Sequence, residues 1–194
     1  MSNPAVLISI RPIWCGKIFD GTKNLEFRKA VPKIELPFKC YVYCTAGKET
    51  LSGIIQDGDD VYGTIYHGEK IFIKFDPDCP IAFINKKQKV VGELLIDRID
   101  EVTVRYDEGE EPVAYYGKDR FLELPKGYIL SGGFTLGEYI KYKGKGKVYG
   151  WHIAEYRLFD KPMDVKDFSF YGLNDHLRYP PQSYCFVNEL KEEA

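Results

Sequence analysis

The chain has 194 residues, with 27 Lys and Arg against 29 Asp and Glu, and is 44% hydrophobic and 29% charged. This is the balance of an ordinary globular domain and excludes a disordered or collagen-like chain; at this length folding buries about 70% of the unfolded surface, so no disulfide or metal staple is needed. The formal charge of −2 excludes a polybasic coat for nucleic acid or membrane, and any anionic partner must be held by a local patch.

Met1 to Ile10 carries no basic segment, and its apolar stretch is too short for a signal peptide. Nowhere does an apolar run approach the ~20 residues of a membrane span, so no membrane partner and a cytoplasmic location are expected. Cys15, Cys40, Cys44, Cys79 and Cys185 are odd in number and include no Cys-x-x-Cys pair, which fits a reducing compartment. Cys40 and Cys44, with Val42 between them, share one face of a strand and are expected as packed core thiols.

In chain order, Ala5 to Ile10 reads as a buried strand, and Pro12 opens a short helix (Ile13 to Phe19) that Gly21 ends. Asn24 to Arg28 alternates Leu25 and Phe27 with Glu26 and Arg28, the period of a half-buried strand. Lys39 to Thr45 and Val90 to Ile96 are further strands, the second continuing toward Val102 and Val104. Residues 47–88 read as an insertion with a hairpin, from the turn signals of Gln56 to Asp60, a strand-like run at Lys70 to Phe75, and Pro77 and Pro80. Residues 105–134 read as a second insertion. Thr135 and Glu138 form a capping-box signature for a helix over Thr135 to Tyr142, and Tyr149 to Phe159 and Ser183 to Leu190 are the last strands.

The order contains no β-α-β-α alternation and no Gly-x-Gly-x-x-Gly after a strand. The expected architecture is α+β: a partly closed, mixed β-barrel of about six strands with short rim helices and two insertions, one domain over residues 1–194.

The most informative charged segment is Gly21-Thr22-Lys23-Asn24-Leu25-Glu26-Phe27-Arg28-Lys29. Strand alternation points Glu26 and Arg28 together, where the guanidinium would keep the carboxylate ionised, and Lys23 can reach the same surface from the turn. The simpler reading is a solvated strand edge whose ion pairs contribute little. A second feature, Lys141, Lys143, Lys145 and Lys147, alternates with Tyr and Gly; four lysines against Glu138 give Gly137 to Trp151 a local charge of +3. Such a loop could rest on phosphates with Tyr142 and Tyr149 near enough to stack on bases, or simply solubilise a turn. Arg98 to Glu111 carries six carboxylates against two arginines and is expected to lie away from a nucleic-acid face.

His67, His152 and His176 are neither spaced nor clustered as metal ligands, so no metal and no cofactor are expected. His152, turned to the face opposite Trp151 and Ile153, is a candidate ligand contact. No Gly-x-Ser-x-Gly elbow is present, and no motif marks Cys15 as a nucleophile.

Val6-Leu7-Ile8-Ser9-Ile10-Arg11-Pro12, the helix after it, and Gly21, Lys23, Glu26, Phe27 and Arg28 resemble the start of an ASCH domain, a PUA-like barrel. The resemblance continues at Val90 to Glu93, Tyr149 to Ile153 and Pro180 to Val187, and leaves both insertions unexplained. It implies a cleft, between the Lys-Glu-Arg segment and the helix, that takes RNA or a nucleobase-like ligand. The expected ligand contacts are Lys23, Glu26, Arg28, Trp151, His152 and Ser183, and the lysine loop adds Lys141, Lys143, Lys145 and Lys147 as expected contacts to the nucleic-acid backbone. One bacterial branch of the family is an amidohydrolase that deacetylates N4-acetylcytidine with a lysine, a threonine and a glutamate. Its lysine matches Lys23 and its glutamate matches Glu138, while its threonine position holds Glu26. A carboxylate cannot act as a hydroxyl nucleophile, although Glu26 could activate water. Three readings follow: an RNA or modified-nucleoside binding module; a small amidohydrolase using Lys23, Glu26 and Glu138; and a protein-interaction role for the insertions.

Overall fold

The structure is a computed structural model that describes residues 3–46, 50–58, 60–66, 70–75, 88–105, 113–116, 123–125 and 127–191. His67, Pro77, Cys79, Pro80, Asp107, Glu108, Glu110 and Glu111 lie outside the described residues.

Along β1 (Pro4–Ile10), Val6, Ile8 and Ile10 face one core cluster while Ala5 and Leu7 face another. Successive strand residues point to opposite faces, so the continuous apolar run reflects a strand covered on both sides. β3 (Phe38–Cys44) repeats this, with Cys40, Val42 and Cys44 in the first cluster and Tyr41 and Tyr43 in the second. The two thiols share a buried face, as their spacing implies.

α1 (Pro12–Phe19) packs Cys15, Ile18 and Phe19 into the first cluster. Its end is set by Gly21 at φ +77°, whose N–H donates to Ile18 O at 3.1 Å; a side chain would be strained in this left-handed conformation. β2 (Leu25–Arg28) follows. The expected strand at Val90 to Val104 is one continuous element, β7 (Lys89–Arg105), and the Tyr149 strand is longer than expected, β9 (Val148–Met163). Their antiparallel ladder shifts register after Val90, Leu95 and Ile96, and such bulges bend and coil a sheet.

With β10 (Tyr184–Asn188), the main sheet runs β10-β1-β3-β7-β9-β2, mixed because β1 and β3 are parallel. β8 (Val113–Tyr116) pairs with β7 beside this path. The path has the expected six strands, but it ends openly: among the described residues, no ladder joins β2 to β10 or β1. A side chain spans this gap instead, Arg28 Nη2 donating to Ser9 O at 2.8 Å.

The first insertion is more regular than a hairpin. β4 (Thr50–Asp57), β5 (Asp60–Tyr66) and β6 (Lys70–Phe75) form a separate three-stranded antiparallel sheet. The second supplies β8 and α2 (Tyr128–Ser131); α3 (Leu136–Lys143) follows, with Thr135 as its N-cap and a complete capping box. Tyr128, Ile129 and Tyr139 from these helices pack on Leu25 and Phe27 in a third core cluster.

Candidate ligand-binding cleft

The β2–β9 register sets Glu26 opposite Trp151 and Arg28 opposite Tyr149. Directly opposed residues leave a sheet on the same face, so Glu26 follows Trp151 inward while Leu25 and Phe27 enter the third cluster. Both faces of β2 are therefore covered, and the solvated-edge reading of its charges is wrong: the side chains of Lys23, Glu26 and Arg28 are 2%, 11% and 12% exposed.

Lys23 is brought in by the turn, its N–H donating to Lys17 O at 2.7 Å. Its Nζ lies 2.9 Å from Glu26 Oε2 and also donates to Leu25 O. Arg28 Nε lies 3.0 Å from Glu26 Oε1, an ion-pair contact, and this buried Nε has no further hydrogen-bond partner among the described residues. Burial pushes the Glu26 carboxyl upward, but the charges of Lys23 and Arg28 outweigh it and hold the group below its usual range. For Lys23, burial outweighs the attraction of Glu26 and lowers the ammonium's pKa. Two buried cations flank one buried anion, a floor of net charge +1.

This floor opens into a cleft of about 510 Å³. One wall is the end of β1 and the first turn of α1, contributing Ser9, Arg11 and Trp14; the other is α2–α3, contributing Gly132, Phe134, Glu138, Lys141 and Tyr142. Aromatic rings run between them: Trp14 and Phe134 have centroids 5.8 Å apart, Phe27 and Phe134 stack at 5.7 Å, and Phe134 and Tyr142 stack at 5.3 Å. The walls approach closely at two glycines. A Cβ on Gly132 would sit 2.0 Å from Phe27 Cε2, and one on Gly133, at φ +81°, would sit 2.7 Å from Trp14 Cζ3.

Lys23, Glu26, Arg28, Glu138 and Lys141 thus share one cleft, and Glu26 and Glu138 face the same space. Glu138 is nevertheless engaged. Its Oε2 accepts from both the N–H and the hydroxyl of Thr135, each at 2.8 Å, and these bonds hold its carboxyl below the usual range. Lys143 and Lys145 extend past the lining, and Lys147 is spent on an ion pair with Glu101 at 2.8 Å. The acidic stretch is therefore not wholly remote from the lysine loop, and its Asp100 is buried beneath Tyr128, whose hydroxyl donates to it at 2.7 Å.

Three expected ligand contacts do not line this cleft. Trp151 is fully buried in the first core cluster against Phe38 and Tyr184. His152 sits on the outer face with Nδ1 2.6 Å from Asp97 Oδ1. Ser183 is exposed and takes part only through its carbonyl, which accepts from Ser9 N–H at 3.0 Å. Among the described residues, no three His, Cys, Asp or Glu side chains gather to hold a metal, and burial pushes the Cys15 thiol up, far from thiolate chemistry. No helix among the described residues is long and apolar enough to cross a membrane.

No protein-family model matches the chain, and no curated protein matches it. The likeness lies in three dimensions. The crystal structure of ASCH from Zymomonas mobilis is 15% identical, superposes with a TM-score of 0.51, and the match covers 95% of this chain and 88% of that one. A point mutant of the same protein gives 14% identity, a TM-score of 0.50, and coverage of 95% and 89%. The chain has an ASCH-like fold. At this identity the likeness speaks for the fold alone, and the cleft rests on its own geometry. Within this ASCH-like fold, the cleft residues that sequence reasoning missed include Ser9, Arg11, Trp14 and Phe134. A faint signal existed for two of them: Arg11 immediately precedes a helix-opening proline, and Phe134 follows two adjacent glycines, a pattern that permits close backbone approach.

Proposed function

We propose that the cleft binds a nucleobase-bearing ligand, RNA or a modified nucleoside. The observation that carries this is the buried Lys23–Glu26–Arg28 array at the floor of an aromatic-walled cleft. Hydrogen-bonding groups at the floor suit a base edge, rings on the walls suit its faces, and Arg11 and Lys141 at the margins suit phosphates. The structural likeness to an ASCH protein supports the same reading at the level of fold.

A binding role is preferred over amide hydrolysis of an acylated nucleoside. Glu138 is committed to its helix cap, and the Ser9 hydroxyl within the cleft donates to Pro181 O at 2.6 Å rather than to a base. We further treat the chain as one domain with two insertions and as cytoplasmic; all four described cysteines are free thiols, which suits a reducing compartment. The test is titration of the protein with single-stranded RNA and with nucleosides, followed by Trp fluorescence. Saturable binding is expected, weakened by Arg28→Ala in a variant whose circular dichroism is unchanged. The absence of binding by wild type would overturn the reading, and release of cytidine from N4-acetylcytidine, lost in Lys23→Ala, would replace it with hydrolysis.

A further inference from the structure

The hydrogen-bonding character of the floor goes beyond a general affinity for bases. Each oxygen of Glu26 already faces a cation, Oε2 toward Lys23 and Oε1 toward Arg28. What the floor still offers is donors: among the described residues Lys23 uses two of its three N–H groups, on Glu26 and Leu25 O, and Arg28 finds its hydrogen-bond acceptor in Ser9 O. Lys23 and Arg28 together carry one more positive charge than Glu26 cancels. A ligand edge that brings another N–H donor would set donor against donor in a largely desolvated place, whereas an edge of acceptors would satisfy both the spare N–H groups and the surplus charge.

Resting on the nucleobase reading, we propose that the cleft selects bases with a keto edge, above all 6-oxopurines, over bases with an exocyclic amino group on that edge. A 6-oxopurine presents O6 and N7, two acceptors that match the fork of a guanidinium, and a 4-oxopyrimidine presents one; adenine and cytosine present an amino donor at the equivalent position. The base enters edge first alongside the row of rings formed by Trp14, Phe134 and Tyr142, and its 5′-phosphate remains at the margin with Arg11 and Lys141. This orientation uses both the donor floor and the outer cations. Phosphate-first entry would leave the base outside the aromatic walls.

The test compares inosine 5′-monophosphate with adenosine 5′-monophosphate on the wild-type protein, by Trp fluorescence or ligand-observed NMR up to millimolar concentration. The two ligands differ in the 6-oxo and 6-amino groups and their attendant ring proton, and carry the same phosphate and sugar. Inosine monophosphate should bind roughly tenfold tighter or more, the discrimination of one well-formed bidentate base contact. Uridine and cytidine monophosphates should show the same order with a smaller ratio. Arg28→Lys, which keeps the charge but not the fork, should bring the inosine ratio close to one. Equal affinities, or tighter adenosine binding, would overturn the keto preference while leaving a nucleobase site in place. Failure of all four nucleotides to bind would overturn the nucleobase reading itself. A preference retained in full by Arg28→Lys would remove Arg28 from its origin.

Discussion

Replacing Glu26 by Gln removes the one negative charge between Lys23 and Arg28 while keeping the side-chain shape. Lys23 is 2% exposed and Arg28 12% exposed, so water at the cleft floor can compensate either cation only in small part. Breaking a buried ion pair by removing one partner costs about 3–5 kcal/mol. Because Gln still accepts one N–H, the lower end of that range applies, and for a chain of this size about 3 kcal/mol corresponds to a melting point lowered by roughly 6–12 °C. The deficit should depend on pH in one direction. Without Glu26, the Lys23 ammonium is depressed by burial with no counterion to raise it, so the folded variant binds fewer protons than its unfolded chain, where Lys titrates near about 10.4. Stability then rises with pH through the interval from the folded to the unfolded pKa, and the gap from wild type should narrow as pH is raised from neutral toward 10. Differential scanning fluorimetry across that range measures both effects. A variant melting within about 2 °C of wild type, with no pH trend, would show that the array is hydrated and refute the reasoning.

Four further outcomes are expected. Gly132→Ala places a methyl inside the Phe27 ring contact and should destabilise by about 1–3 kcal/mol by overpacking, with weaker ligand binding, measured by thermal melting and titration. Thr135→Ala removes the cap of α3 at a cost of about 1 kcal/mol near neutral pH; because the Glu138 carboxyl is held below its ordinary value, the cap's contribution is present above the unfolded pKa and is lost as pH falls through the folded one, so wild type and variant melts should converge in acid. In RNA binding, Lys143→Ala with Lys145→Ala should flatten the salt dependence by up to about two units before the weighting of ~0.7 per single-strand phosphate, whereas adding Lys147→Ala should change little, since Lys147 is paired with Glu101. His152→Ala should leave ligand affinity unchanged, because the imidazole lies outside the cleft.

Much of the cleft floor was legible in the spacing of Glu26 and Arg28, since a period of two is a local rule that needs no knowledge of the rest of the chain. Their burial was not legible. It depends on α2 and α3 covering Leu25 and Phe27 while the opposite face of β2 turns toward the sheet interior, a packing decided by residues a hundred positions away. Trp151 illustrates the same limit: alternation tells that it leaves the strand opposite to His152, but not whether that side is interior or cleft. The first insertion was only partly read, as a hairpin, because Gly53 and Gly63 interrupt the apolar alternation on both strands beside the Gly58 turn, and the register shifts between Leu51 and Gly53. The pairing of Lys147 with Glu101 follows from the β7–β9 register, a long-range fact that a count of local charge cannot contain.

The position of β1 has a consequence for the order in which the molecule can be made. β1 lies between β3 and β10, pairing Val6 with Cys40 on one side and with Phe186 on the other. Contacts so distant in sequence carry a large loop-closure cost and slow folding. During synthesis, β1, α1, β2 and β3 can begin to assemble early, but one edge of β1 stays unpaired until residues 184–188 have left the ribosome. An exposed strand edge invites association with other chains, so truncation before residue 184 should yield aggregation rather than a smaller soluble core. The same closing segment supplies Ser183 O to Ser9 and Pro181 O to its hydroxyl, at the very rim where Arg28 reaches across. The proposed cleft is therefore incomplete in a nascent chain until the residues from Pro181 to Asn188 have been made.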